Sequence, residues 1–307
     1  MDNLMNDTQD VKVVDRLIMR LATQTSPSLC MLIEQLPLIF RVVEIDSQET
    51  ANGKHEIVAE IFHENASLRV KWLADTYDAR LKKGCLVSIR WKGQTVCELG
   101  AIIISRLVLV DQPPSGLNIF ETVPIDWVKD RSLIQRAISV QSKMPHRYQK
   151  LINGILWEDK RFWQFLNYPS SLQHHHAIAH GNFIHTLEVC ELAQKVALNK
   201  NVNVPLLILI GFLHDIGKAG EYWYHEQHQR FYLSKRGQLL GHKLTAIEWA
   251  GEAKNKFQIE FSDHEWLAIL HGFSATQGIA DWTGFRQPKT TEASLLSMID
   301  NLSVRQA

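Results

Sequence analysis

The sequence predicts an α+β chain of two domains, an N-terminal β-barrel followed by an all-α domain. Three observations predict it. From about Leu36 to Val110 the chain runs in short β-rich segments separated by Gly, Asn and charged residues. From Asp111 to Ile125 it carries Pro113, Pro114, Gly116 and Pro124, the composition of a linker. Beyond that, apolar residues recur at helical spacing almost to the end. The expected boundaries are a helical extension over 1–35, the barrel over 36–111, a linker over 112–125 and the helical domain over 126–307.

In the extension, Val14, Leu17, Ile18 and Leu21 mark one helix over Val11–Leu21. The barrel rests on five runs: LPLIFRVVEI, HEIVAEIF, SLRVKWL, CLVSIRW and AIIISRLVLV. Asp75–Leu81, between the third and fourth, is expected to form a short helix. Three strands, a helix and two strands is the order of an OB-fold. The helical domain is expected to contain helices over Trp127–Ser142, Tyr148–Leu166, Phe183–Leu198, Val204–Ile216, His242–Phe257, His264–Leu270 and Thr291–Val304. YWYHEQHQRF, from Tyr222, reads as a loop or short hairpin, whose aromatic residues could wall a cleft.

Composition narrows the function. The chain has 307 residues, 45% apolar, enough to bury a core without staples. Its formal net charge is zero, so nucleic-acid binding would need a local basic patch. Leu36–Asp111 balances ten Lys/Arg against ten Asp/Glu. Cys30, Cys85, Cys97 and Cys190 lie far apart, which argues for reduced thiols rather than a disulfide framework or zinc knuckle. The polar start MDNLMNDTQD is unlike a signal peptide, and the apolar run Leu206–Leu213 is too short to span a bilayer. A cytoplasmic protein is expected.

The chemistry centres on His214–Asp215. They follow LLILIGFL, a run apolar on every side and therefore buried. Two polar groups at the end of such a helix need partners. A divalent cation is one; a capping histidine beside a surface aspartate is the plain alternative. Gly217 lets the chain turn, and Lys218 offers a cation to a phosphate oxygen. His185 is expected in the first turn of another helix. Asp300 stands beside an apolar stripe of Leu296, Ile299 and Leu302. The order is H…HD…D on three helices.

This order, with His214-Asp-Ile-Gly-Lys218, resembles the HD superfamily of metal phosphohydrolases. Further elements narrow the resemblance: His174-His-His176, Gly181-x-x-x-His185-Thr186, Glu221, Gly237-x-Leu-Leu-Gly-His242, His271-Gly272 and Glu292-Ala293…Ile299-Asp-Asn301. Together they resemble the YhaM-type 3′–5′ exoribonucleases, which also carry an OB-fold. The resemblance implies His185, His214, Asp215 and Asp300 as metal ligands, Asp215 bridging if two ions bind. It implies His242 and His271 for a second metal, with helix capping as the alternative for each. Lys218, Asp215 and His242 are the expected catalytic residues; His176 and Glu221 are expected to line the substrate. The chain departs from the family at Asn182, Leu270 and Ser303.

The implied reaction is phosphodiester hydrolysis, from the 3′ end of single-stranded RNA or DNA, with one or two divalent ions. The resemblance implies manganese; iron, zinc and magnesium suit similar donors. On the barrel, Arg69, Lys71 and Trp72 share one run and Arg90, Trp91 and Lys92 another, the mixture that grips single strands. A small barrel also needs core tryptophans. Competing expectations are a hydrolase of nucleotides or cyclic nucleotides, and a non-catalytic binding module. Self-association into a homo-oligomer is a further expectation.

Overall fold

The computed structural model describes residues 35–98, 100–172, 177–196, 202–275 and 286–306. The expected helix at Val11–Leu21 and the histidines His174–His176 lie outside the described residues. The chain divides into two compact units. One runs to Asp111 and includes Glu121–Pro124; the other comprises Gln112–Phe120 and everything from Ile125.

The first unit is five strands: β1 (Phe40–Glu49), β2 (His55–His63), β3 (Ala66–Ala74), β4 (Leu86–Glu98) and β5 (Ala101–Leu109). They close in the order β1-β2-β3-β5-β4, with Phe40 and Arg41 on β1 pairing Val87 and Leu86 on β4. Neighbours are antiparallel except β3 and β5. The period-2 pattern places the side chains. On β2, Ile57, Ala59 and Ile61 face the core; on β3, Leu68, Val70 and Trp72 do. The buried guanidinium of Arg41 donates to the carbonyls of Gly84 (2.6 Å) and Thr122 (3.2 Å), and to Thr122 Oγ1 (3.1 Å).

Three expectations are corrected here. Asp75–Leu81 forms bends and turns, not a helix. The Asp78 carboxylate accepts from the Arg80 backbone N–H at 3.1 Å, and Tyr77 Oη donates to the Leu81 carbonyl at 2.7 Å. Such local bonds compete with a helical ladder. The stretch expected as a linker holds a 3-10 turn, Ile119–Thr122, with Ile119, Phe120 and Val123 fully buried. Its prolines mark a packed connection. Trp72, expected to stack on bases, is a core residue with 4% exposure. Arg69 and Trp72 are three residues apart on a strand, so they cannot share a face.

The second unit is helical. Its elements are α1 (Arg131–Ser142), α2 (His146–Ile155), α3 (Asp159–Asn167), α4 (Gly181–Val196), α5 (Val204–Leu213), α6 (Lys218–Glu221), the hairpin β6 (Tyr222–His225) and β7 (Arg230–Leu233), α7 (Lys235–Leu239), α8 (Gly241–Lys256), α9 (Asp263–Ser274) and α10 (Thr291–Gln306). The single helix expected over Tyr148–Leu166 is two, because Leu156 ends α2 and Glu158 opens α3. Asn203 caps α5 by accepting from the Leu206 N–H, and every residue of α5 from Leu206 is buried. Helices α4, α9 and α10 pack around it. Phe212 on α5 meets Phe120 and Phe165 at 5.8 Å between ring centroids. This packing fixes the C-terminal end of α5, where His214 sits. No helix among the described residues is long and apolar enough to cross a membrane.

Trp72→Ala should cost the first unit about 3–5 kcal/mol, the usual loss for deleting a large core aromatic. Arg90→Ala should cost under about 0.5 kcal/mol. Urea unfolding measures both; equal small losses would show that Trp72 is not a core residue.

Candidate metal centre

Each ligand position follows from its helix. Helix α5 places His214 and Asp215, both buried, at its C-terminal end. His185 lies in the second turn of α4, since that helix begins at Gly181. Asp300 lies on α10, where Leu296 and Ile299 are buried while Met298 and Leu302 are exposed. The stripe expected through Leu302 therefore ends before it. Helix α8 brings His242 in its first turn.

The three imidazoles share one arrangement. His214 Nδ1 lies 2.7 Å from the Gly211 carbonyl, which only accepts, so Nδ1 carries hydrogen. His242 Nδ1 lies 3.1 Å from Glu221 Oε2 and donates likewise. His185 Nδ1 lies 3.2 Å from Ser303 Oγ. That hydroxyl donates to Glu188 Oε2 at 2.8 Å, so it accepts from His185. Every Nδ1 is thus tied back, and every Nε2 is turned to the Asp215 carboxylate. His185 and His214 approach Oδ2 at 3.6 and 3.4 Å; His242 approaches Oδ1 at 3.4 Å. Asp300 Oδ1 lies 3.2 Å from His185 Nε2 and 3.8 Å from His214 Nε2.

This donor set fits a divalent cation. Ligand atoms bound at about 2.0–2.2 Å stand roughly 3.0–3.5 Å from one another. The distances above fall in or just beyond that range. His185 Nε2 and His214 Nε2 face each other at 3.3 Å. Two ring nitrogens so placed need a proton or a cation between them. Ligand atoms of His185, His214 and Asp215, all buried, lie within 4.8 Å of one another. Tying back the outer nitrogen of each ring is how proteins orient metal-binding histidines.

Charge is organised accordingly. Burial pushes the His214 imidazolium down, but Asp215 and Asp300 outweigh it and raise its pKa to about 10. Burial would raise the Asp215 carboxyl; His214 and Lys218 instead hold it well below the usual carboxylate range. Asp300 is also lowered against burial, chiefly by hydrogen bonds from His185 and His214. Lys218 Nζ donates to Asp215 Oδ2 at 2.5 Å and to Ser170 Oγ at 3.1 Å. Lys243 is half-buried; burial lowers its pKa while Asp215 and Asp300 pull upward.

Two glycines make the approach possible. A Cβ on Gly217 would overlap the backbone carbonyl of His242, and one on Gly237 that of Glu221. The motifs His214-Asp-Ile-Gly and Gly237-x-Leu-Leu-Gly-His242 are therefore two sides of one contact. It presses α8 and the chain before it against the turn that bears Asp215.

The structure brings together His185, His214, Asp215, His242, Asp300, Lys218 and Glu221. His271 Nε2 accepts from the Lys289 backbone N–H at 2.9 Å, and burial lowers its pKa. Its place near the C-terminal end of α9 explains that bond. Sequence reading missed Glu188, Ser170 and Lys243, and counted Ser303 only as a departure. The spacing of Glu188 three residues after His185, on one face of α4, was an available signal. On the barrel, Arg69, Arg90 and Lys92 are exposed, Lys71 is paired with Glu56 at 2.5 Å, and Trp91 is half-buried against the core.

Residues 182–305 match the HD domain family, a span that holds His185, His214, Asp215 and Asp300. The chain is 28% identical over 193 residues to the 3′-5′ exoribonuclease YhaM of Listeria welshimeri, covering 61% of this chain and 58% of that protein. It is 30% identical over 142 residues to the 3′-5′ exoribonuclease YhaM of Halalkalibacterium halodurans, covering 46% and 43%. The match thus spans less than two thirds of these relatives.

Metal binding should expel a proton. With its pKa near 10, His214 is protonated at neutral pH in the metal-free protein, and a cation takes only the neutral ring. Apparent affinity should therefore rise with pH, about tenfold per unit between pH 6 and 8. Calorimetry with manganese in buffers of different ionisation enthalpy should show about one proton released per ion at pH 7. Release of none would contradict the assignment of His214.

Proposed function

Taking residues 182–305 as an HD domain of the YhaM-like kind, we propose that the chain is a metal-dependent phosphodiesterase that trims single-stranded RNA from its 3′ end. One observation carries the reading: three anchored imidazoles turn their Nε2 atoms to one buried carboxylate, with Lys218 beside it. Structural ion pairs do not require three rings each anchored through Nδ1.

His185, His214, Asp215 and Asp300 would hold a first ion. Asp215 Oδ1 with His242 offers donors to a second. A divalent cation there supplies Lewis acidity for phosphoryl oxygens. Imidazole and carboxylate donors without thiolate suit manganese, with iron and zinc next; manganese is our choice. Lys218 and Lys243 present ammonium groups to the non-bridging oxygens of a diester. Glu221 keeps a hydrogen on His242 Nδ1 and so leaves Nε2 available. Ser303 and Glu188 do the same for His185.

We read the first unit as an OB-fold, which the strand order closed through β1 and β4 supports. Its outer surface is electrostatically divided. Glu44, Asp46, Glu56 and Glu60 line a groove on β1–β2 with Arg69. Arg90 and Arg106, both exposed, stand directly opposite each other on β4 and β5, with Lys92 two residues on. Like charges so paired repel each other, and a bound polyanion relieves that. RNA would be held at β4–β5 rather than at Arg69 and Lys71.

The test is digestion of 5′-labelled single-stranded RNA with added manganese. The expected product is a ladder shortening from the 3′ end. Asp215→Ala should lower the rate at least a thousandfold while circular dichroism stays native. Intact RNA beside turnover of a mononucleotide or cyclic nucleotide would replace this reading with a nucleotide hydrolase.

A further inference from the structure

The hairpin after α6 has one face without a structural duty. Trp223 pairs Tyr232 and His225 pairs Arg230, so these four side chains point the same way. The other face anchors the hairpin through two of its four residues: Tyr222 is buried and the Phe231 ring packs on Tyr168 at 4.9 Å, while Tyr224 and Leu233 are each 41% exposed. On the first face Trp223 is 43% exposed and Tyr232 37%. The solvent face of a short hairpin is ordinarily polar. Here it is aromatic and cationic.

The rings form a connected surface. Trp223 lies 5.7 Å from Tyr232 and 5.2 Å from His225, centroid to centroid. His228, from the turn, stacks on His225 at 4.0 Å with planes 8° apart. His228 Nδ1 meets Tyr232 Oη at 3.0 Å, and the His228 N–H donates to His225 Nδ1 at 3.3 Å. These bonds fix the ring edges, and the stacking of His225 on His228 covers one face of each. Rings held in this way lose little freedom when a flat group stacks on them.

We propose that this face, formed by Trp223, His225, His228, Arg230 and Tyr232, is a stacking platform for the bases of the single-stranded nucleic acid being hydrolysed. The inference rests on the proposed nuclease activity and adds a substrate grip within the helical unit itself. Two observations select this occupant. The strand face carries Arg230 and no carboxylate, which complements a polyanion. The hairpin also follows directly on the residues of the metal centre: β6 begins at the residue after Glu221, which holds His242. Trp223 is two residues beyond Glu221, about 7 Å of extended backbone. A strand with its terminal phosphodiester at the centre would lay its next bases here. Every base has a π-face, so the platform tolerates any sequence.

The test uses full-length protein with manganese and two substrates, a labelled single-stranded RNA and bis(p-nitrophenyl) phosphate, a diester with no run of bases to lay along the hairpin. Trp223→Ala with Tyr232→Ala should raise the KM for RNA at least tenfold. The ratio of RNA to small-diester turnover should fall by a similar factor. Trp223→Phe with Tyr232→Phe should restore most of it, because rings rather than polar tips do the gripping. Leu239→Ala, another exposed apolar position, should change neither activity. An unchanged ratio in the alanine pair would overturn the platform while leaving the nuclease reading intact. Loss of both activities together would also overturn it, as would a wild-type dimer that the alanine pair splits. Failure of the wild type on RNA, with nucleotide turnover retained, would instead remove the nuclease reading.

Discussion

Burial of Asp215 at the end of an entirely apolar helix sets the terms for the rest of the helical unit. A carboxylate there cannot be left to water and cannot be left alone. Helix α5 is enclosed by α4, α9 and α10, so its last turn has no freedom to swing outward. What surrounds Asp215 is therefore cationic or protonatable: His185, His214, His242 and Lys218. The same enclosure raises the His214 pKa and lowers that of Asp215. A fold stabilised only by apolar contacts would do better without this cluster, because buried ion pairs return little of their desolvation cost. Groups whose pKa values are shifted this far by burial and by one another are what a cation site or an active site requires.

The cluster depends on a second layer that is less conspicuous in the chain. Gly211 offers a carbonyl, Glu221 a carboxylate, and Ser303 with Glu188 a short relay; each fixes one ring. Gly217 and Gly237 let two backbone segments touch where any side chain would separate them. Orientation of the imidazoles is thus distributed over α4, α5, α6, α8 and α10. Disturbing any of these should loosen the centre without removing a ligand.

Much of the α+β organisation was legible because both halves obey strong periodicities. Alternation at Ile57, Ala59 and Ile61 marks a half-buried strand, and the run Leu206–Leu213 marks a buried helix. The ligand order was legible because His214-Asp215 and Gly237-x-Leu-Leu-Gly-His242 are local. What escaped was set by tertiary contact. Asp75–Leu81 lost its helix to side-chain bonds from Asp78 and Tyr77. Trp72 sits near Arg69 and Lys71 in the chain yet faces the opposite way. His271 looked like a ligand by order, but its ring is held by the Lys289 backbone. Ser303 was read only as a departure from the family, whereas it links the His185 ring to the Glu188 carboxylate on α4. Lys243 follows a motif histidine and drew no notice, since nothing local distinguishes it from a surface lysine.

The central claim is that one buried carboxylate and the histidines turned toward it are a cation site. Anomalous diffraction from manganese-soaked crystals tests it most directly. The account predicts a peak about 2.0–2.3 Å from His185 Nε2, His214 Nε2 and carboxylate oxygens of Asp215 and Asp300. Any second peak should lie on the His242 side of Asp215. Manganese bound only elsewhere, for instance at His225 and His228, with the Asp215 cluster still closed on itself, would contradict the account.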